Sequence, residues 1–150
     1  FSLSQRLNEI SEVEVKEAQE GDILKNGVVY IAPGGKHMRV VKKGTDYCIK
    51  LSDEPAIDGL RPCANVMYES LENCQYDEIT CVVLTGMGAD GTKGIQGLAA
   101  HHKKLHVIAQ DADTCVVYGM PKAIAQTGLV DEVVPLGSVA ETITKNVGVS

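Results

Sequence analysis

The sequence has no apolar run long enough to cross a membrane, no basic run longer than two residues and no C-x-x-C pair. The first absence argues against a transmembrane segment, and no signal peptide opens the chain. With a formal net charge of −6, the short basic runs argue against a surface for nucleic acids or anionic membranes. No repeat or low-complexity linker divides the 150 residues, which predicts one domain of ordinary size.

The cysteines indicate reduced thiols. They number five and are widely spaced, namely Cys48, Cys63, Cys74, Cys81 and Cys115. This pattern is typical of a cytoplasmic protein and argues against a disulfide framework or a zinc site. Cys81 lies within an apolar run, so core packing is its simplest role, and no neighbouring residue marks it as an activated nucleophile.

Two segments in the first half of the chain have apolar residues at helical spacing. The first, residues 1–10, is predicted to open the chain as a helix through Leu3, Leu7 and Ile10. The second, residues 62–74, is predicted to be a helix with Pro62 in its first turn. One face of this second helix would carry Cys63, Met67, Leu71 and Cys74.

The strand patterns of the first half lie between these two helices. The run VVYIA at 28–32 is β-branched and aromatic, which predicts a strand that ends before Pro33. MRVV at 38–41 and YCIKL at 47–51 flank a polar segment, which predicts an antiparallel hairpin that turns at Gly44.

Strand and helix patterns alternate through the second half. The predicted strands are ITCVVL at 79–84, LHVIA at 105–109 and LVDEVV at 129–134. The predicted helices are 92–102, with Ile95, Leu98, Ala99 and His102 on one side, 120–126, and one opened by a capping box of Ser138 and Glu141. This alternation predicts an α/β fold with a doubly wound, mainly parallel sheet flanked by helices, to which the first-half hairpin adds an antiparallel piece.

The loop after strand 79–84 contains glycines in G-x-G-x-x-G order, at Gly86, Gly88 and Gly91. With Asp111 lying 20 positions beyond Gly91, this matches the dinucleotide-binding fingerprint. A pyrophosphate at the following helix N-terminus would, however, place the carboxylate of Asp90 against phosphate. Nucleotide binding is therefore the weaker hypothesis.

Asp90 itself has two further interpretations. A carboxylate at a helix N-terminus is held ionised by the helix dipole and backbone amides, as the third member of a hydrolytic triad must be. The alternative is that Asp90 is only the N-cap of the helix. Spacing alone leaves both open.

The motif TGMGADG, followed by AQDADTCVVYGMPKAIAQTGLVDEVVPL at 109–136, resembles the C-terminal catalytic domain of the bacterial chemotaxis protein-glutamate methylesterases. The similarity extends upstream through VVYIAPGGKHM at 28–38, LRPCANVMYESL at 60–71 and RLNEISEVEVKEA at 6–18. It covers essentially the whole chain.

The resemblance implies a cytoplasmic enzyme that hydrolyses γ-glutamyl methyl esters on chemoreceptor helices and deamidates glutamines there, with neither cofactor nor metal. It implies a Ser-His-Asp triad in which Asp90 matches the aspartate. Met87, with Gly86 and Gly88 in the same motif, matches the methionine beside the triad histidine. Such enzymes usually carry an N-terminal receiver domain, which this chain lacks.

Two parts of the family pattern are missing from the sequence. The S-T-G-G motif of the nucleophile is absent, and FSLSQRLN matches the tail of a segment whose triad histidine would lie upstream of Phe1. We therefore expect a truncated domain without its first strands, inert by itself. His37 matches a family histidine outside the triad, and Arg61 is retained in a loop where Leu60 and Cys63 depart from the common residues.

Three other interpretations remain at this point. The chain could be a non-catalytic module that binds receptor helices or another partner with the same fold. His101, His102 and His106 with Lys103 and Lys104 are better explained as a solvated helix end than as a metal site. Met87 and Met120 are more often packing residues than binding residues.

Overall fold

The structure is a computed structural model that describes residues 2–101 and 104–148. The chain divides into two compact units, Phe1–Cys74 and Gln75–Ser150. Parallel strands, flanking helices and one antiparallel hairpin confirm the predicted α/β class. Among the described residues, no helix is both long enough and apolar enough to span a membrane.

The first unit opens with helix α1 (Ser2–Ile10), strand β1 (Glu14–Glu17) and strand β2 (Val28–Ile31), and the two strands pair in parallel. The opening helix is confirmed, but its predicted apolar face is not buried, because Leu3 and Ile10 are 60% and 63% exposed. The helix instead packs on β1 with a polar side, where Asn8 Oδ1 accepts the amide of Val15 at 2.9 Å.

The predicted hairpin is formed by β3 (His37–Lys43) and β4 (Asp46–Ser52). Its two-residue turn contains Gly44 at a φ of 65°, a value that glycine adopts without steric cost. Helix α2 (Ala64–Ser70) packs on β3, where Ser70 Oγ accepts the amide of Val40 at 2.9 Å.

Helix α2 is shorter than the predicted 62–74 segment. Cys63 precedes it with extended dihedrals (φ −118°, ψ 125°), so Pro62 lies before the helix rather than in its first turn. After Leu71 the chain continues in turns, with the amide of Cys74 bonded to the carbonyl of Leu71 at 3.0 Å. Both Cys63 and Cys74 are nevertheless buried, as the apolar pattern predicted.

The second unit is a three-stranded parallel sheet in the order β5 (Ile79–Val83), β6 (Leu105–Gln110) and β7 (Glu132–Val134). Helix α3 (Thr92–His101) follows β5, α4 (Met120–Ala125) follows β6, and α5 (Val139–Val147) follows β7. Helices α4 and α5 pack on β5 and β6, and α3 packs beside α4. The alternation of the sequence pattern is confirmed.

Two predicted details of this unit are wrong. The last strand begins at Glu132 rather than at residue 129, since Asp131 Oδ2 accepts the amide of Val107 at 2.8 Å just before the ladder. Ser138 precedes α5 with near-helical dihedrals (φ −106°, ψ −2°) and makes no side-chain cap, so the capping box with Glu141 does not form.

The core of the second unit combines the predicted face of helix 92–102 with residues of the sheet and of α4. Ile95, Leu98, Ile108 and Ile124 are fully buried. Cys81 is 1% exposed, and burial raises the pKa of its thiol to about 12. Such a thiol is protonated at neutral pH, which agrees with a packing role. All five cysteines are free.

Candidate active site

The glycine loop lies between the carboxyl end of β5 and the start of α3. It contains Gly86, Met87, Gly88 and Asp90, four of the residues singled out by the sequence. In parallel α/β sheets, ligands and catalytic groups gather at the carboxyl ends of the strands. The loop is therefore in the part of the second unit where a reaction site is expected.

Gly86 joins this loop to the segment that follows β6. Its amide donates to the carbonyl of Val117 at 3.1 Å, and its carbonyl accepts the amides of Gly119 and Met120 at 3.1 and 2.8 Å. A Cβ at Gly86 would lie 2.6 Å from Met120 Sδ. Met120 thus has the predicted packing role, and a side chain at position 86 would require the thioether of Met120 to move.

Asp90 is partly buried and lies one residue outside the helix. Gly91 is the residue next to α3, because its carbonyl accepts the amide of Ile95 at 2.9 Å and so starts the helical ladder. Capping of the α3 N-terminus by the Asp90 carboxylate and a role of Asp90 in a triad both stay predictions. The carboxylate still lies near the N-terminus of α3, where the helix dipole favours negative charge.

Met87 is 84% exposed. It packs into no core, unlike the general expectation for methionine. Gly88 follows it with a φ of 83°, a backbone conformation that L side chains rarely adopt. The turn at Gly88 therefore presents Met87 at the surface of the loop that carries Asp90.

His37 and Arg61 belong to the first unit, where both hold the segment after β4. His37 is 1% exposed, with Nε2 2.9 Å from the carbonyl of Pro55. Arg61 Nη1 donates to the carbonyl of Asp53 at 3.1 Å, and the Arg61 carbonyl accepts the amide of Gly35. The bonds to Pro55 and Asp53 give both residues a structural task in that unit.

The sequence did not point to Thr85 or Gln110, although both support the glycine loop. Thr85 Oγ1 donates to the carbonyl of Val117 at 3.1 Å and accepts its amide at 2.9 Å. The amide of Thr85 donates to Gln110 Oε1 at 2.8 Å. A glutamine that directly follows the apolar run LHVIA is the one signal that could have drawn attention to this position.

The two described histidines of the predicted cluster have separate partners. His101 Nδ1 lies 2.8 Å from the carbonyl of Gly97 within α3, and His106 Nε2 lies 2.7 Å from Glu132 Oε2 across the sheet. His102 and Lys103 lie outside the described residues. In the part of the chain that the structure describes, no group of three histidine, cysteine or acidic residues could hold a metal ion.

Glu132 links β6 to α5. Because an ionised carboxylate can only accept, His106 Nε2–H donates to it at 2.7 Å, and Asn146 Nδ2 donates at 3.0 Å. These two hydrogen bonds hold the pKa of Glu132 below its ordinary value of 4.5. His106 Nδ1 also faces Asp131 at 3.9 Å, and the charge of Lys145 acts on Glu132 in the same direction as the hydrogen bonds.

We expect the stabilising effect of Glu132 to depend on pH. A folded-state pKa below the unfolded value contributes stability that is present above about pH 4.5 and is lost as the pH falls through the folded pKa. In urea unfolding between pH 7 and 3, the wild type should exceed Glu132→Gln in stability at neutral pH, and the gap should close in acid. Glu78→Gln, at an exposed position before β5, is the control. A gap that stays constant with pH would contradict this assignment.

The chain matches a known family. A family model described as CheB methylesterase matches residues 1–143. A protein-glutamate methylesterase/protein-glutamine glutaminase from Desulfotalea psychrophila is 43% identical over 148 residues, which cover 97% of this chain and 40% of that protein. A protein of the same name from Oceanobacillus iheyensis is 45% identical over 145 residues, or 96% of this chain and 41% of that protein.

The fold matches a solved structure as well. The crystal structure of the Thermotoga maritima CheB methylesterase catalytic domain superposes with a TM-score of 0.89 at 36% identity, covering 96% of this chain and 75% of that one. The fold and the sequence together place this chain in the class of α/β methylesterase domains. The chain belongs to the CheB methylesterase family, and it spans about 40% of the length of the two relatives. This membership favours the methylesterase interpretation of the glycine loop over the dinucleotide one.

Proposed function

We propose that this chain is part of a cytoplasmic enzyme that hydrolyses γ-glutamyl methyl esters, and deamidates glutamines, on the helices of chemoreceptors. Asp90 is the aspartate of its Ser-His-Asp triad. The observation that carries the proposal is the position of Asp90, partly buried in the G-M-G-A-D-G loop at the carboxyl end of β5. The names of the relatives support both activities.

In this mechanism a serine hydroxyl attacks the ester carbonyl while a histidine takes its proton. The histidine then returns the proton to the leaving oxygen, and methanol departs from an acyl-enzyme. Water, deprotonated by the same histidine, hydrolyses the acyl-enzyme to a free glutamate and restores the serine. With a glutamine substrate the leaving group is ammonia. Asp90 orients the histidine and stabilises its positively charged form.

The serine and histidine are supplied by polypeptide that this chain does not include. Support comes from the sequence, which has no S-T-G-G motif, and from the two relatives, of which this chain spans about 40%. The chain is then one methylesterase domain without its first strands. By itself it is inert, because an aspartate without nucleophile and base has nothing to orient.

Exposed apolar side chains lie on the glycine loop and on the loop after β6, and they fit a protein substrate. Met87 is 84% exposed and Val116 is 90% exposed, on loops that meet in the bridge between Gly86 and Tyr118. Exposed apolar side chains next to a reaction site are typical of surfaces that contact another protein. They suit the apolar stripe of a receptor helix that presents a methylated glutamate.

The proposal is tested by methanol release from a methylated chemoreceptor fragment. The samples are this chain and a version extended by the residues encoded upstream of Phe1. We expect methanol only from the extended protein. An extended protein that binds the fragment without releasing methanol would indicate a non-catalytic receptor-binding module. Methanol from the short chain would mean that the nucleophile lies within it.

A further inference from the structure

Gln110 is a buried polar side chain at the carboxyl end of β6. It is 1% exposed and follows Val107, Ile108 and Ala109, which are buried as well. Burying an amide group costs free energy unless its donors and its acceptor form hydrogen bonds. The side chain of Gln110 therefore needs polar partners, which the apolar side chains of its neighbours in the strand do not offer.

The side-chain amide of Gln110 forms hydrogen bonds to the loops after two strands, β5 and β6. Its Oε1 accepts the backbone amide of Thr85, in the segment that leads into the glycine loop, at 2.8 Å. Its Nε2 donates to the carbonyl and to the Oγ1 of Thr114, in the loop after β6, at 2.8 and 3.2 Å. One side chain thus connects the segment before Asp90 with the loop that carries Val116.

Thr114 extends the connection to a third loop. Its hydroxyl donates to Asp111 Oδ1 at 2.6 Å and accepts the amide of Leu136, after β7, at 3.0 Å. With the bond from Gln110, the single proton and both lone pairs of this hydroxyl are in use. The loops at the carboxyl ends of all three strands therefore share one hydrogen-bonded network, and Gln110 is the buried member that reaches the glycine loop.

We propose that Gln110 is a positioning residue for the loop that carries Asp90, and that it acts by fixing Thr85 at the point where the chain leaves β5. As a statement about the reaction, this rests on the function proposed above. Hydrogen bonds from Gly86 to the segment after β6 hold the far side of the same turn. A displacement of about 1 Å in a triad can cost on the order of 10²-fold in rate. The hydrogen bond between Thr85 and Gln110 therefore affects turnover, because it fixes the start of the loop that carries Asp90.

Amide hydrogen exchange in the present chain tests the structural half of the proposal. Gln110→Met keeps the volume of the side chain and removes its hydrogen bonds, and Gln96→Met on the exposed side of α3 is the matched control. We expect exchange at the Thr85 amide to become about ten- to a hundredfold faster in Gln110→Met. The amides of Ile95 and Val107, whose bonds do not involve Gln110, should keep their wild-type rates.

A second variant separates hydrogen bonding from general packing. In Gln110→Glu a protonated carboxyl can accept from Thr85 and donate to Thr114, whereas an ionised carboxylate faces the Thr114 carbonyl with no proton to donate. Protection of the Thr85 amide in this variant should therefore stay close to wild type, because both forms of the carboxyl can accept from it. Gln110→Met should show no such protection.

Turnover in the upstream-extended protein tests the functional half. Gln110→Met should lower kcat for methanol release tenfold or more, and by a larger factor than it changes KM, because the variant loses the bond that fixes Thr85. Unchanged exchange at Thr85, or equal acceleration at Ile95 and Val107, would overturn the positioning role, and so would an unchanged kcat. An extended wild type without esterase activity would instead refute the proposed function, while the exchange data would still decide whether Gln110 fixes the loop.

Discussion

Replacing Asp90 by asparagine in the upstream-extended enzyme is expected to lower kcat for methanol release by about 10⁴-fold. Asparagine has the size of aspartate but carries no charge, so it cannot stabilise the imidazolium that forms when the serine is deprotonated. Its amide group can also donate to the histidine, which selects the wrong tautomer. Binding of the receptor fragment should change little, because Asp90 acts on the histidine and not on the substrate.

Asp77→Asn is the matched control for this experiment. Asp77 is exposed and lies just before β5, at the end of the strand away from the glycine loop. The control should retain wild-type turnover and the same unfolding midpoint. If Asp90→Asn retained wild-type turnover as well, the assignment of Asp90 as the triad aspartate would be wrong, even in an active extended enzyme.

Replacing Gly119 by alanine is expected to destabilise the second unit by about 1–3 kcal/mol. The Cβ would lie 2.6 Å from the carbonyl oxygen of Gly86 and 3.0 Å from the amide nitrogen of Gly88. Both contacts are with backbone, so the glycine loop must move to relieve them. Gly119 has an ordinary φ of −105°, so any loss comes from the close approach and not from its own conformation.

Gly137→Ala controls for this change, because a Cβ at Gly137 meets nothing within 4 Å. Urea unfolding of the present chain should show the loss in Gly119→Ala and almost none in Gly137→Ala. In the extended enzyme, displacement of the loop should also cost about 10²-fold in kcat for Gly119→Ala. Wild-type stability and turnover in Gly119→Ala would show that the two loops need not touch.

Periodicity predicted most elements because burial follows it directly. The run at 79–84 became β5, in which Cys81 and Val83 are buried in the sheet, and the spacing of Ile95 and Leu98 placed one face of α3 in the core. Such residues need only be apolar and correctly spaced. Their environment can therefore be predicted without knowing which residues cover them.

The errors lie where a hydrogen bond or the backbone conformation outweighs the local pattern. Asp131 bonds to the amide of Val107 and precedes a shorter β7, and Ser138 adopts near-helical dihedrals that take away its capping role. Leu3 and Ile10 are exposed because α1 turns the side of Asn8 toward β1. Residue spacing shows neither these two hydrogen-bond partners nor the dihedrals of Ser138.

The sequence by itself determined the α/β class, the family and the location of the G-M-G-A-D-G loop after a buried strand, because apolar periodicity and a contiguous motif are local properties. Only the tertiary structure decided that Gly91 rather than Asp90 adjoins α3, that Gly119 touches Gly86, and that Gln110 bonds to Thr85. Gln110 and Thr85 are 25 positions apart, and their contact exists because parallel pairing brings the ends of β5 and β6 to the same edge of the sheet.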